Sequence, residues 1–525
     1  MLIEILIFIF TFLIAYFIFL HKRTHRRFDK DGIKYLPGVP FFGNIFKSTV
    51  FIRHMLGDMD EVYRAFPGER YVGYIEALAP IIMIRDPQLI KQITVKDFDH
   101  FVDHKEFFPD GTEPLFGGSV LLMKGERWRD MRTTLSPAFT GSKMRLMMPF
   151  MTDISKNIIE YLKENVKPTD DLDAGDMIRR YTNDVIASAA FGLQVNSLKD
   201  KDNEFYTLGQ DIFKFGIKQT IVFTLAATCP KLIKAFGIKI FPEKTTQFFR
   251  DLVKSTIEFR EKNKVERPDM IQLLMEASKG NLKMDGSVED KVGFATVDEQ
   301  LKPQGKTRDW TMDELTGQVF IFFVAGFESS ATAVTMSIHE ITLNPDVQEK
   351  LYQECRKFKE TNGELTYDNI NELKYLDCVL NEAMRKWAAA LIMDRTCTKE
   401  YELPPPRNGA KPVILKPGDV VYNMVNTIHM DPEHFPNPEK FDPNRFSDEN
   451  KHNIKPFTYM PFGMGPRNCI GSRFALLELK VLLYDLILNF KFSRSPKTPD
   501  PIELEPGSFT IKAKGGTIVR IEPRK

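Results

Sequence analysis

The chain has 525 residues, with 72 Lys and Arg against 71 Asp and Glu, for a formal net charge of +1. That balance excludes a strongly basic nucleic-acid face and a general attraction for acidic partners, while the length allows several domains or one large one. The five cysteines, Cys229, Cys355, Cys378, Cys397 and Cys469, have no paired metal-ligand spacing, and an odd number in a long chain suits a reducing compartment better than a disulfide framework.

Leu2 to Leu20 is apolar apart from Glu4 and Thr11, close to the roughly 20 residues that span a bilayer as a helix. The basic run from His21 to Arg27 comes immediately after it, which predicts a transmembrane anchor over 1–20, a basic linker over 21–36 and one cytoplasmic body over 37–525. A cleaved secretory peptide would need a basic start and a small-x-small site, and the run has neither. Leu36-Pro37-Gly38-Val39-Pro40 then restricts the backbone and orients the globular body against the membrane. Arg70–Tyr74 and Ile81–Ile84 are expected as two short strands of a small sheet.

From Asp103 to Lys124, Pro and Gly residues, Pro109 among them, separate Phe107, Phe108, Phe116, Leu121 and Leu122. Such a loop either lines a pocket or is held to the surface by a few apolar contacts. Gly125 opens a helix on which Trp128 and Arg132 share a face. Lys124, Arg127, Arg129 and Lys143 form part of a basic docking face or are solvated helix charges, and the residues favour neither. Phe205 to Phe249 is rich in Phe, Ile and Leu, whereas Gly280 to Arg308 is polar and is expected as a long exposed connection.

Thr311 and Glu314 spell a capping box, with Trp310 and Leu315 placed to staple it, so a helix is predicted from there to about Leu343. It is apolar around much of its circumference, yet Ala325-Gly326-Phe327-Glu328-Ser329-Ser330 puts a carboxyl and hydroxyls in its middle, where buried polar groups need partners. Glu382 and Arg385 lie one turn apart on a later helix, and Pro443-Asn444-Arg445-Phe446 belongs to an irregular, proline-rich meander. Pro461 to Gly471 presents Cys469 on a tight glycine-rich turn just before a helix that begins near Phe474. At the C-terminus, Phe509–Lys514 and Thr517–Glu522 flank Gly515-Gly516, a hairpin signal.

The pattern Phe462-x-x-Gly465-x-Arg467-x-Cys469-x-Gly471, followed by Phe474-Ala475 and Glu478, resembles the haem-binding signature of the haem-thiolate monooxygenases, the cytochrome P-450 superfamily. Ordered motifs extend the resemblance over the chain from Leu36. It implies a mainly α fold with a small β region, a single large domain behind the anchor. It also implies haem b, with Cys469 as the axial ligand of iron, Phe462 and Gly471 around the sulfur, and Arg467, Trp128 and Arg132 toward the propionates. The helix carrying Glu328 and Ser329 would lie over the distal haem face and relay protons; Ser329 replaces the usual Thr, which keeps the hydroxyl and loses the stiffening methyl.

Glu382, Arg385 and Arg445 would form a structural network on the proximal side. Phe107, Phe108, Phe116, Phe322, Ala325, Ala389 and Leu391 would line the substrate pocket, although Trp387 to Leu391 lacks the prolines usual there. Phe205 to Phe249 would be a mobile lid bordering the pocket and the membrane. The chain has no Gly-x-Gly-x-x-Gly fingerprint, so NADPH and flavin are expected only through a partner NADPH–cytochrome P-450 reductase. Arg85-Asp86-Pro87, Val95-Lys96-Asp97-Phe98 and Phe320–Phe323 are similar to the microsomal insect branch that oxidises foreign compounds. The expected function is thus oxygen insertion into lipophilic xenobiotics, or into endogenous lipids, at the endoplasmic reticulum membrane. A haem-thiolate isomerase acting on hydroperoxides and a non-enzymatic haem sensor are the alternatives.

Overall fold

Met312–Leu343 is the helix around which the others are arranged. Its start follows from the capping box: the Thr311 hydroxyl accepts from the Glu314 N–H at 3.2 Å, and Glu314 Oε2 accepts from the Thr311 N–H at 3.0 Å, a pairing that stabilises a helix by about 1 kcal/mol. Trp310 packs half-buried against the core beside Leu315. The 32 residues extend for about 48 Å. Among the described residues this is the one helix outside the N-terminal segment long and apolar enough to cross a membrane by composition, and most of it is buried inside the protein, as a core helix is.

The computed structural model describes residues 2–524 apart from 109–110, 214–215, 229, 240, 281–290 and 298–309. Pro109, Cys229 and most of the connection expected over Gly280–Arg308 therefore lie outside the described residues. The described piece of that connection, 291–297, is docked on the body: the Phe294 N–H donates to Asp377 Oδ2 at 3.0 Å and Lys480 Nζ donates to the Val292 carbonyl at 2.5 Å.

The fold is mainly helical. Ala174–Phe191 packs against the long helix, and Ser472–Asn489, the helix after Cys469, packs against both the long helix and Gly141–Asn165. Their apolar faces meet in one large core. A second core lies under a four-stranded sheet of order β1-β2-β7-β4, made by β1 (Tyr71–Glu76), β2 (Ala79–Ile84), β4 (Ile392–Thr396) and β7 (Val420–Met424). β1 and β2 are the two expected strands, each a little longer than the sequence suggested, and pair antiparallel with Gly73 opposite Ile82. β2 runs parallel to β7, and β7 antiparallel to β4, with Asp394 opposite Tyr422.

The helix at the N-terminus runs unbroken over Leu2–Asp31, through most of the segment expected as a basic linker. One expectation is corrected. The C-terminal arms flanking Gly515-Gly516 do not pair with each other. Glu505 and Lys514 N–H donate across a short excursion to Lys512 and Glu503 carbonyls, while β9 (Ile518–Pro523) pairs with β8 (Phe490–Ser493) and with β3 (Leu172–Asp173). Asp173 is the reason: its Oδ1 accepts from the Thr517 N–H at 3.3 Å, and the Ala174 N–H donates to the Thr517 carbonyl at 2.9 Å, drawing the second arm away.

Candidate active site

The loop bearing Cys469 is shaped by local hydrogen bonds. The Cys469 N–H donates to the Phe462 carbonyl at 2.8 Å and the Asn468 N–H to the Gly465 carbonyl at 2.9 Å. Gly465 has φ +75° and a Cβ there would stand 1.8 Å from the Thr94 carbonyl oxygen, so no other residue fits. The loop delivers Cys469 three residues before Ser472, the first residue of the following helix. Cys469 lies deep in the protein and is nevertheless exposed. Burial raises its pKa, opposed by the Gly471 N–H and by the charge of Arg132. The described cysteines Cys355, Cys378 and Cys397 are instead buried and inert, their thiols pushed up chiefly by burial.

Three guanidiniums crowd this loop. Arg132 donates from Nη1 to the Asn468 carbonyl at 2.8 Å and from Nη2 to Asn468 Oδ1 at 2.7 Å. Arg467 crosses to the loop before the Trp128 helix, donating to the carbonyls of Val102 at 2.8 Å, Leu121 at 3.0 Å and Met123 at 2.6 Å, and lies 4.0 Å over the Trp128 ring. Arg395, on β4, is fully buried; its Nη1 donates to the Asp394 carbonyl at 2.6 Å, while its Nε and Nη2 have no partner. Burial, and then the neighbouring charge of Arg395, depress Arg467 to about 8, and burial depresses Arg395 to about 10. Asp103, 3.8 Å from Arg467, and Asp394 offset this only in part. Arg395, a buried cation with unspent donors, calls for an anion, and a carboxylate fits its planar fork.

On the long helix, Ala325 and Ser329 are exposed one turn apart amid buried neighbours. Ser329 Oγ donates to the Ala325 carbonyl at 2.5 Å. Glu328 points elsewhere: it is buried, accepts from Arg179 Nε at 3.2 and 3.3 Å, and accepts from the Thr510 hydroxyl at 3.3 Å. An open thiol on a rigid loop, a buried cluster of guanidiniums and an accessible stretch of small side chains fit haem b, whose iron takes a thiolate and whose two carboxylates take the cations.

A cavity of about 870 Å³ reaches the long helix at Val324. Phe107, Phe108, Phe116, Ala389 and Leu391 line it, together with Phe223, Phe241 and Phe509. Phe322 and Ala325 are not in its lining: Phe322 packs edge-on against Phe139 at 5.4 Å, and Ala325, one residue past Val324, is exposed.

Below the cysteine loop, Arg385 is fully buried and forks onto Glu382, Nε to Oε2 at 2.8 Å and Nη2 to Oε1 at 2.9 Å. Arg445 Nε approaches Glu382 Oε1 at 3.3 Å and the Asp442 N–H donates to the same oxygen at 2.9 Å. The Arg385 donors are spent inside the protein, on Glu382, the His429 and Pro438 carbonyls and the Met430 sulfur, so this cluster is structural. The candidate basic face is largely paired too: Lys124 with Glu106 at 3.2 Å, Arg129 with Asp99 at 2.5 Å, and Arg127 with Glu314. Exposed pairs of this kind are each worth little.

Sequence reasoning missed Arg179, Arg395 and Asn468. Asn468 sits inside the recognised motif, whereas Arg179 and Arg395 are lone arginines whose partners are 149 residues away, or wanting, and no local signal marks them.

An accessible cysteine thiol at the start of a helix, ringed by buried cations and facing a mostly helical fold, defines a haem-thiolate protein. A sequence model of the family described as Cytochrome P450 matches residues 34–520. The chain is 40% identical to cytochrome P450 9e2 of Blattella germanica, over 98% of this chain and 97% of that protein. It is 42% identical to probable cytochrome P450 9f2 of Drosophila melanogaster, over 95% of each, and 34% identical to cytochrome P450 6k1 of Blattella germanica, over 93% of this chain and 91% of that protein. The chain belongs to the cytochrome P450 family. It is a monooxygenase that uses haem b and takes its electrons from a partner reductase.

Proposed function

We propose that this enzyme inserts one oxygen atom into lipophilic small molecules, xenobiotics in the first place, at the endoplasmic reticulum membrane, with NADPH–cytochrome P-450 reductase as its electron donor. The observation that carries the substrate class is the cavity of about 870 Å³, lined by seven phenylalanines among aliphatic and a smaller number of polar side chains, a size and composition suited to drug-sized, largely apolar ligands. The insect relatives support the same class. Haem b, when bound, supplies the reductive activation of oxygen that no amino-acid side chain can provide.

The chain's own residues do the rest. Cys469 would hold the iron as a thiolate, metal binding offsetting the burial that raises its pKa. Arg132, Arg395 and Arg467 would hold the carboxylates. Ser329 Oγ keeps lone pairs free while its own proton rests on the Ala325 carbonyl, so it accepts a hydrogen bond from a water and holds that water in place for proton delivery. Glu328, held by Arg179 and Thr510, fixes the turn that presents Ser329. Phe107, Phe108 and Phe116 exclude water from the cavity.

The membrane reading rests on the helix Leu2–Asp31, whose first turns expose Ile3, Ile5, Ile7, Phe8 and Phe12. With basic residues only after the apolar run, the body lies on the cytoplasmic side.

The test combines membrane-bound, haem-loaded protein with the reductase and a panel of lipophilic compounds, followed by mass spectrometry. Products that gain one oxygen only with NADPH, and vanish in Cys469→Ala, establish the substrate class. Rearrangement of hydroperoxides without NADPH, and no oxygen-gaining product, would overturn it.

A further inference from the structure

One wall of the aromatic cavity carries a polar triad. Glu76 at the end of β1, Lys105 in the loop ahead of the Trp128 helix, and Tyr422 on β7 all line it. Lys105 Nζ donates to Glu76 Oε1 at 2.5 Å and to the Tyr422 hydroxyl at 3.1 Å, and Tyr422 donates to Glu76 Oε2 at 2.5 Å. The group is pinned from behind, because the Lys105 backbone N–H donates to Asp394 Oδ2 at 2.6 Å. The side chains of Lys105 and Glu76 are 14% and 21% exposed, and Tyr422 is buried. Burial and the adjacent Glu76 carboxylate raise the Tyr422 pKa well above its ordinary value, so the phenol keeps its proton and remains a donor.

Stability alone accounts poorly for the triad, since taking an ion pair out of water offsets most of its Coulombic gain. Its hydrogen-bond inventory is uneven. Both Glu76 oxygens accept from the triad, whereas the ammonium has three N–H donors and spends two. While Lys231, Lys234 and Glu106 line the cavity elsewhere, the triad's lysine and glutamate charges cancel, which leaves one directed donor at this wall. A neutral acceptor oxygen suits that better than a carboxylate does.

We propose that the Glu76–Lys105–Tyr422 triad is a recognition site for a neutral acceptor oxygen, such as a ketone, ester or ether, at one end of an otherwise apolar substrate. Lys105 Nζ donates to that oxygen, and the rest of the molecule lies among Phe108, Phe116, Phe223 and Phe241. The inference rests on the cavity being the substrate site.

Two ligands with one carbon skeleton test it: benzylacetone, which carries a ketone, and butylbenzene, which does not. Their binding to haem-loaded full-length protein is measured by equilibrium dialysis, for the native chain, for Lys105→Met, and for the charge-neutral pair Lys105→Met with Glu76→Gln. The donor is worth about tenfold in affinity, so both variants should lose about that much for benzylacetone and hold butylbenzene within about twofold. The double variant leaves no unpaired carboxylate and answers for the single one if that does not fold. Equal changes for both ligands, or no change for either, overturn the triad's role while leaving the cavity as the substrate site. Failure of both ligands to bind the native protein overturns the cavity assignment and the triad with it.

Discussion

Arg179 reaches from the helix Ala174–Phe191 to Glu328 in the middle of the long helix, Nε to carboxylate at 3.2 Å, with side chains only 17% and 7% exposed. Burial opposes the charge on Arg179 but the Glu328 carboxylate outweighs it, and the pKa of the guanidinium is raised. Arg179→Met would leave Glu328 with the Thr510 hydroxyl alone, and is expected to cost about 3 kcal/mol, the lower end for breaking a buried pair because Arg179 retains some exposure. Glu328→Gln in the same chain should recover part of that loss. Denaturant unfolding of the two single variants and the double variant measures it; additive losses would mean the pair is not coupled.

Arg395 should show effects of opposite sign in the two states of the protein. Its Nε and Nη2 are buried and unpartnered, so Arg395→Met is expected to stabilise the haem-free chain by about 1–3 kcal/mol, the cost of leaving buried donors unsatisfied. If the donors serve the haem carboxylates, the same substitution speeds the loss of haem to an acceptor protein. Slower or unchanged haem loss would remove Arg395 from the site.

Two neighbouring glycines separate steric clash from backbone strain. Gly463 and Gly465 both have positive φ, +73° and +75°. A methyl group on Gly463 would meet nothing nearer than 3.5 Å, whereas on Gly465 it would stand 1.8 Å from the Thr94 carbonyl oxygen. Gly463→Ala is therefore expected to cost about 1–2 kcal/mol and still take up haem. Gly465→Ala should cost at least about 3 kcal/mol and lose the haem absorbance band. Similar haem content in the two variants would show that Thr94 gives way.

Glu478 makes stability fall with rising pH. It is fully buried on the helix after Cys469, and burial lifts its carboxyl from 4.5 to about 8, with the Ser330 hydroxyl opposing. Between those values the folded chain keeps a proton that the unfolded chain releases, so this group favours folding at low pH and the advantage is lost as pH climbs to about 8. The full loss is on the order of 5 kcal/mol. Unfolding measured at about pH 5 and about pH 8 should show a decline that Glu478→Gln largely removes; an unchanged decline in the variant would mean that other groups set it.

How far each feature was legible in the sequence depends on the range of the interactions behind it. The capping box at Thr311 and Glu314 and the tight glycine turn before Cys469 are local, contained within a few residues, and both were legible. The Glu382–Arg385 pair was legible for the same reason, one turn apart on one helix. The partner of Glu328 was not, because Arg179 is 149 residues away and nothing in a lone arginine says which helix it will face. Which helix residues reach the cavity was not legible for a related reason. On a helix, successive residues stand about 100° apart, so Val324 reaches the cavity while Phe322, two residues back, packs on Phe139. The C-terminal glycine pair signalled a turn correctly, but the competition from Asp173 for Thr517 was invisible without the fold.

The N-terminal helix carries a consequence for orientation. Its last turns are locked to the sheet: the Phe28 ring is fully buried over Gly73, where a Cβ would come within 2.9 Å of it, the Thr24 hydroxyl donates to the Leu78 carbonyl at 2.7 Å, and Arg27 bonds Asp419 at 2.9 Å. A loose tether would let the catalytic body swivel freely. This helix instead acts as a mast stepped into the hull, so any tilt of its apolar half is passed directly to the β1–β2 hairpin, which contributes Glu76, Ala77 and Ala79 to the cavity wall. The heading of the cavity is thereby tied to the angle of this helix.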